Sequence, residues 1–270
     1  MLLVWMRWGA GRRLLVLCLR YVGPFFRESG RSQQGDRREE NALYPSRFCC
    51  KGGSTFMVFM EGGCMTNGWS QREERILRGL DSPDKIQHFI DKLPYRCEDG
   101  HLSARAALRD GRAHCFDGAL LAAAALTRCG LEPRLIDLCA VRDDDHILCS
   151  FRWRGRWGAI AKSNFPGLRY RDPVYRTARE LVLSYFEFYF NLEKEKSLRA
   201  FSTPMALPSR RRIDWECDDT QGDRIVDLLA AQKHHPILLP RQERSLRLLD
   251  ERLYRSQLVG VNMKGAYGGT

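Results

Sequence analysis

Residues 111–126 read GRAHCFDGALLAAAAL, and this stretch decides the fold around it. A Gly-Arg pair leads into Cys115, and the alanine- and leucine-rich run that follows has the composition of a buried helix. The first N–H groups of a helix lack partners within the helix, and the positive end of the helix dipole lies beside them. Because both effects favour a thiolate, Cys115 is the candidate nucleophile.

The sequence on either side predicts a second helix and an antiparallel meander. Ser82 and Pro83 suit an N-cap and a first helical position, and the apolar spacing that follows ends at Pro94. Gly130 is expected to end the Cys115 helix. Strands are predicted over 133–141, 146–153 and 156–161, with turns at 142–145 and 154–155. The expected fold class is therefore α+β, a core helix that carries Cys115 on an antiparallel sheet, with additional C-terminal helices.

His146 opens the second of these strands and is the candidate base. A two-residue turn at 154–155 makes paired positions in the last two strands sum to 309, which sets His146 opposite Ser163. A one-residue bulge would bring Asn164 there instead.

The remainder of the chain is expected to be structural. Residues 173–191 predict one buried helix, 201–208 an extended stretch, and 223–231 and 242–258 two amphipathic helices. We therefore expect a core over 65–200 and a C-terminal helical extension over 201–270 that packs on it. His234 and His235 are adjacent, so their side chains point in different directions, and no metal site is predicted there.

Residues 1–64 differ in character from the rest. Their first part is apolar but interrupted by arginines, and the remainder shows no sustained period. We predict a disordered N-terminal extension, or sequence upstream of the true start, since Met60 and Met65 offer alternative starts. An excess of arginine leaves a weak mitochondrial-type presequence as an alternative.

Composition limits the class of protein. The chain has 270 residues, 44% of them hydrophobic, which suffices for one full core. The net charge of +11 comes mainly from 36 arginines scattered among 33 acidic residues, a pattern typical of a solvated surface rather than of a nucleic-acid interface. The ten cysteines include no C-x-x-C pair, which favours buried, reduced thiols and a cytoplasmic location.

The order of these features resembles the transglutaminase-like superfamily of papain-type cysteine enzymes, over about residues 82–164. The shared motifs are Gly-Arg-x-x-Cys-x-Asp-x-Ala-x-Leu at 111–121, Cys-Gly-x-x-Pro-Arg at 129–134, Asp145-His146, and Gly-Arg-Trp at 155–157. The resemblance implies a nucleophile at Cys115, a base at His146, and a carboxylate after the hairpin that orients the histidine.

The third position departs from the family's pattern, because counting along the hairpin brings the family's Asp to Ala161. Alanine cannot orient an imidazole, so another group is expected to accept the ring N–H of His146. The candidates, in order of preference, are Asn164, whose amide oxygen would act as in papain-type triads, then Ser163, then Asp172 or Asp143.

The implied reaction is acyl transfer. The Cys115 thiolate would attack a carboxamide or peptide carbonyl, His146 would protonate the leaving amine, and water or another amine would resolve the thioester. The N–H of Cys115 and a donor from the preceding loop would meet the oxyanion. His114 is a competing base, disfavoured because its place next to Cys115 makes the line to the sulfur awkward. The expected substrate is a peptide, a protein or a small amide; no nucleic acid, membrane, metal or cofactor is predicted.

Ala161 also supports an alternative from another class, an inactive transglutaminase-like fold that acts as a peptide- or protein-binding module. Residues 162–164 and a run of arginines would then contact the ligand. These arginines are Arg169, Arg171, Arg176 and Arg179.

Overall fold

A computed structural model describes Arg7–Trp8, Arg12–Arg13 and residues 68–268. The short strands β1 (Arg7–Trp8) and β2 (Arg12–Arg13) pair antiparallel. Otherwise the predicted disordered extension over 1–64 lies outside the described residues.

Residues 68–268 contain a seven-stranded antiparallel sheet. Its strands are β3 (Arg134–Ala140), β4 (His146–Trp153), β5 (Arg156–Ile160), β6 (Arg171–Tyr175), β7 (Leu198–Ser202), β8 (Met205–Ala206) and β9 (His234–Pro236). The order across the sheet is β6-β5-β4-β3-β7-β9, and β8 also pairs with β3. The predicted α+β class is confirmed, and the three predicted strands form the middle of a larger sheet.

The same residues form helices that surround this sheet. They are α1 (Gln71–Gly79), α2 (Pro83–Lys92), α3 (Ala104–Asp110), α4 (Cys115–Arg128), α5 (Ala178–Leu183), α6 (Gly222–Ala230), α7 (Pro240–Glu243) and α8 (Glu251–Gln257). Short 3₁₀ turns lie at Pro166–Leu168, Phe186–Phe188, Asp219–Gln221 and Met263–Gly265. As predicted, the Ser82 hydroxyl caps α2 by accepting from the Lys85 N–H.

Helix α4 is the centre of the core. Its first twelve residues are all buried, and it packs against α1, α2, α3 and β4. The face of the sheet toward α4 presents Leu135 and Phe151, whereas the opposite face presents Leu138 and Leu148 to α5. The position of Cys115 is therefore fixed by the most deeply buried helix of the fold.

The β4–β5 hairpin has the predicted register over most of its length. Pairs run from Trp153↔Arg156 to Cys149↔Ile160, each summing to 309. Both turn residues, Arg154 and Gly155, have positive φ angles of 48° and 78°, as a tight two-residue hairpin turn requires.

His146 does not reach the predicted partner Ser163, because β5 ends at Ile160. The side chain of Gln87 takes up the next peptide groups, accepting from the Ala161 N–H and donating to the Ala161 carbonyl, each at 3.0 Å. With those groups bound to α2, the ladder stops, and His146 pairs only with Leu138 of β3.

The predicted helix over 173–191 is wrong. The segment contains the end of strand β6, the short helix α5, which Thr177 caps, and a 3₁₀ turn. Buried aromatic residues such as Tyr185 and Tyr189 make this stretch apolar on all sides. A pattern that is apolar on all sides does not distinguish a helix from a strand. In this segment the packing of the aromatic side chains determines the secondary structure.

The predicted boundary between 200 and 201 falls inside β7, so residues 201–270 are not a separate helical extension. Strands β8 and β9 belong to the same sheet as the core. Helix α6 lies close to its prediction, but the predicted helix over 242–258 is divided into α7 and α8. Asp250 separates the two because its carboxylate accepts the N–H groups of Arg252 and Leu253 and so begins a new helix.

Candidate functional site

Cys115 is the first residue of α4, and its side chain is almost completely buried. The backbone N–H groups of Phe116 and Ile147 lie near its sulfur and lower its pKa, against the larger effect of burial. Because Ile147 follows His146 in β4, the sulfur contacts the strand that carries the predicted base. The structure thus brings the two sequence-predicted positions to one place from 31 residues apart.

A buried ion pair holds the start of α4. The Asp117 carboxylate accepts from Nη2 and Nε of Arg96 at 2.8 and 3.2 Å, and it also accepts from the His114 N–H at 3.0 Å. Arg96 in turn donates to the carbonyls of Glu98 and Gly100. The preceding loop and the helix N-terminus are therefore tied to a single guanidinium.

The imidazole of His146 is buried and oriented by a backbone group. Its Nε2 lies 2.9 Å from the carbonyl oxygen of Leu168, which follows β5 in the 3₁₀ turn at Pro166–Leu168. A carbonyl can only accept, so Nε2 carries the hydrogen and Nδ1 carries the lone pair. The neutral tautomer that a base requires is fixed without a side-chain partner.

The residues predicted to orient His146 form hydrogen bonds with other groups. The Asn164 amide donates to the Asn262 carbonyl at 2.8 Å and accepts from the Asn262 N–H at 2.9 Å. The Ser163 hydroxyl accepts from the Phe165 N–H. Of the more remote candidates, Asp143 accepts from Ser197 and Asp172 is exposed. The prediction of Asn164 or Ser163 as the orienting group is corrected to the carbonyl of Leu168.

Cys115 and His146 line one small pocket of about 40 Å³, well below the roughly 300 Å³ or more of a typical small-molecule site. Ser163 and Asn164 also line it, so three segments that carry predicted site residues meet there. The other lining residues are Tyr95, Asp143, Asp144, Asp145, Phe165, Leu168, Tyr189, Phe190 and Gly265. Gly265 belongs to the C-terminal 3₁₀ turn, which the Asn164–Asn262 pair holds against this region.

His114 is in direct contact with the sulfur, since its Nδ1 lies 3.4 Å from Sγ of Cys115. The expectation that His114 has an awkward line to the sulfur is therefore wrong. As the N-cap residue, His114 has an extended backbone, which allows its ring to reach the next side chain. The ring also lies beside Tyr95, with centroids 5.4 Å apart.

Burial keeps these groups neutral. Loss of solvation raises the pKa of Cys115 to about 12, against the opposing effect of the Ile147 N–H. Burial lowers the pKa of His146 to about 4 and also lowers that of His114. The resting site therefore holds a thiol and two neutral imidazoles rather than a thiolate–imidazolium pair.

Several cationic groups of the alternative binding surface make contacts within the fold. Lys162 is buried and donates to the carbonyls of Ile90 and Leu93 at the end of α2. Arg171 donates to Ser184, and its guanidinium lies 3.9 Å from the centre of the Tyr185 ring. Arg169 lies 3.6 Å from Asp91, and Arg179 donates to the carbonyls of Pro236 and Ile237. Arg176 of the same run is exposed.

A second group of reactive side chains lies on another part of the sheet. Donor atoms of Asp137, Cys139 and His234 lie within 4.8 Å of one another. His234 reaches this group, whereas His235 bonds to Thr203 and packs on Phe201. The two adjacent histidines do point in different directions, but His234 alone meets two further potential ligands.

Neither the models of known protein families nor the curated proteins match this chain. Among the described residues, no helix has the length and apolarity needed to cross a bilayer.

Proposed function

We propose that this chain is a transglutaminase-like cysteine enzyme that carries out acyl transfer or hydrolysis at a carboxamide or peptide bond through a Cys115 thioester. The observation that carries the proposal is the pocket shared by Cys115, at the start of a buried helix, and His146, whose tautomer is fixed. Each feature alone is compatible with a packed side chain; their convergence is what nucleophilic catalysis requires.

The reaction begins from a neutral thiol. As the sulfur of Cys115 attacks the substrate's carbonyl carbon, the thiol proton passes to Nδ1 of His146, and an S–C bond forms. The imidazolium then gives this proton to the leaving amine as the C–N bond breaks. Water or a second amine attacks the thioester, and its proton returns to the sulfur as the S–C bond breaks.

In this proposal His114 is a second imidazole beside the sulfur and does not act as the base. Its Nδ1 lies within hydrogen-bonding distance of the sulfur, and its pKa is lowered by burial. It is the rival for the role of base, because its ring is in direct contact with the sulfur. His146 is preferred because the Leu168 carbonyl leaves Nδ1 as the acceptor atom of that ring.

The negative charge that develops on the substrate's carbonyl oxygen is stabilised by hydrogen-bond donors. The N–H of Cys115 lies at the first position of α4, where helix geometry gives it no partner within the helix. The N–H groups of Phe116 and Ile147 favour negative charge at the sulfur. A pre-arranged donor of this kind contributes about 3 to 4 kcal/mol to lowering the barrier in acyl transfer.

The pocket must widen to admit a substrate. With a volume of about 40 Å³ it does not hold an amide group together with its substituents. The C-terminal turn at Met263–Gly265 lines it and is held by Asn164 and Asn262. Access in this proposal requires that turn to move away.

The test is acylation by p-nitrophenyl acetate, an activated ester that leaves only a small acetyl group on the sulfur. The full chain should release nitrophenolate in a burst, and mass spectrometry of the peptides should find the acetyl group on Cys115. The Cys115→Ser variant should lose the burst, whereas Cys97→Ser, which changes an exposed cysteine, should keep it. A burst that survives in Cys115→Ser, or an absence of any acyl group on Cys115, would refute the proposal.

A further inference from the structure

Asp137, Cys139 and His234 lie side by side on the sheet face toward α4. Asp137 and Cys139 are two residues apart in β3, so their side chains share one face. His234 lies in β9, two strands away, and pairs with Ser202 of β7. The N–H of Asp137 donates to the Ser202 hydroxyl at 2.9 Å. Because Ser202 is small, the side chains on either side of it can meet.

Two of the three distances within this group match those between zinc ligands, and the third, between sulfur and nitrogen, is within 4.8 Å. Oδ2 of Asp137 lies 3.5 Å from Sγ of Cys139 and 3.4 Å from Nε2 of His234. With a Zn–S distance of about 2.3 Å and Zn–N and Zn–O distances of about 2.0 Å, a tetrahedron separates oxygen from sulfur by about 3.5 Å and oxygen from nitrogen by about 3.3 Å. One ion could therefore contact the carboxylate together with either neighbour as placed, and all three atoms once the sulfur and the imidazole nitrogen have a tetrahedral spacing.

We propose that Asp137, Cys139 and His234 bind a divalent transition-metal ion, for which Zn²⁺ best suits this mixture of carboxylate, thiolate and imidazole donors. Three protein ligands leave a fourth tetrahedral position for water or another small ligand. The site lies outside the pocket of Cys115 and does not depend on the proposed acyl-transfer function.

An independent observation supports a missing partner at this place. The second oxygen of the same carboxylate, Oδ1 of Asp137, is buried and has no hydrogen-bond partner among the described residues. A buried carboxylate oxygen without a partner is costly, and a bound cation would compensate for it. The His234 side chain is 29% exposed, so an ion can enter from solvent.

The experiment uses the full, reduced chain, treated with a chelator and then titrated with Co²⁺, a spectroscopic substitute for Zn²⁺. We expect a thiolate-to-cobalt charge-transfer band that Zn²⁺ removes by displacement. The band should be lost in Cys139→Ser, and the affinity for Co²⁺ should fall roughly tenfold or more in His234→Gln, since even indirect partners of a metal ligand have effects of that size. Circular dichroism would establish that each variant is folded; if Cys139→Ser is not, the equally sized Asp137→Asn substitution provides the second test of affinity.

Matched controls separate this site from other thiols and imidazoles. His235→Gln and Cys97→Ser should retain the band, because these side chains lie outside the group. Cys115→Ser should also retain it while losing acylation, so failure of the metal proposal is distinguishable from failure of the enzyme proposal. If no band forms, if it survives in folded Cys139→Ser, or if folded His234→Gln or Asp137→Asn binds Co²⁺ as tightly as the parent chain, the three side chains form only a hydrogen-bonded cluster.

Discussion

Nε2 of His146 donates to the carbonyl oxygen of Leu168 at 2.9 Å. The carbonyl does what the resemblance assigns to a carboxylate, since it fixes both the tautomer and the plane of the ring. Ala161 at the corresponding side-chain position is thus compatible with an oriented imidazole.

Replacing each histidine should separate the two candidate bases. We expect His146→Asn to lower the rate of Cys115 acetylation by about 10²- to 10⁴-fold, the usual contribution of a general base. His114→Asn should have a smaller effect, because in the proposal the His114 ring contacts the thiol but does not accept its proton. Stopped-flow measurement of nitrophenolate release gives both rates. A greater loss in His114→Asn would transfer the role of base to His114.

The stability of the fold should depend on pH through His146. Its pKa in the folded state is lowered by burial from 6.5 to about 4, so the unfolded chain takes up a proton at a pH where the folded chain does not. The contribution of His146 is therefore fully present above about pH 6.5 and is lost as the pH falls through about 4. The contribution of His146 to the free energy of unfolding differs by up to roughly 3 kcal/mol between these two pH ranges.

Urea unfolding at a series of pH values would measure this effect. The His146→Asn variant should lose stability less steeply between pH 6.5 and 4 than the parent chain. His88→Asn, which changes an exposed histidine, should leave the slope unchanged. Parallel slopes for the parent chain and His146→Asn would mean that the ring is not buried in the neutral form.

The ion pair of Asp117 and Arg96 should matter much more than one at the surface. Asp117→Ala would leave a buried guanidinium without its carboxylate, for which we expect a loss of about 3 to 5 kcal/mol in the free energy of unfolding. Asp81→Ala removes an exposed pair with Lys85 and should cost less than about 1 kcal/mol. Urea unfolding of the two variants measures both losses of stability, and equal losses would contradict the assigned role of Asp117.

Asn164→Ala should open the pocket. It removes both hydrogen bonds to Asn262 and frees the turn that lines the pocket. We expect iodoacetamide to label Cys115 faster in this variant, because solvent that enters will reverse the burial that raises the pKa of the thiol. Peptide mass spectrometry gives the rate, and glutathione added to the same sample as a free thiol is the internal standard. An unchanged ratio of the two rates would show that Asn164 does not restrict access.

Local sequence patterns predicted the central helices and strands well. Ser82, Pro83 and Gly130 act on the backbone within a few residues, so the starts and ends they predict follow from short-range geometry. The hairpin register followed in the same way from the two-residue turn at 154–155. Such features need no knowledge of distant contacts.

The rest depended on contacts between distant segments. Every residue has a backbone carbonyl, so the sequence does not indicate that the carbonyl of Leu168 binds His146. The hydrogen bonds between Gln87 and Ala161 join segments 74 residues apart. Likewise, Arg96 is one of many arginines until Asp117 meets it in the fold. The sequence motif held Asp117 but gave no indication of its partner.

Strand β7 runs across the predicted boundary at residue 200, with a practical consequence for dividing the chain. A fragment that stopped there would retain only part of β7 and none of β8 or β9, leaving much of one side of β3 without hydrogen-bonding partners. Unpaired amides and carbonyls along such an edge recruit other chains. The shortened polypeptide should therefore self-associate and precipitate, even though it keeps every residue of the thiol pocket except Gly265.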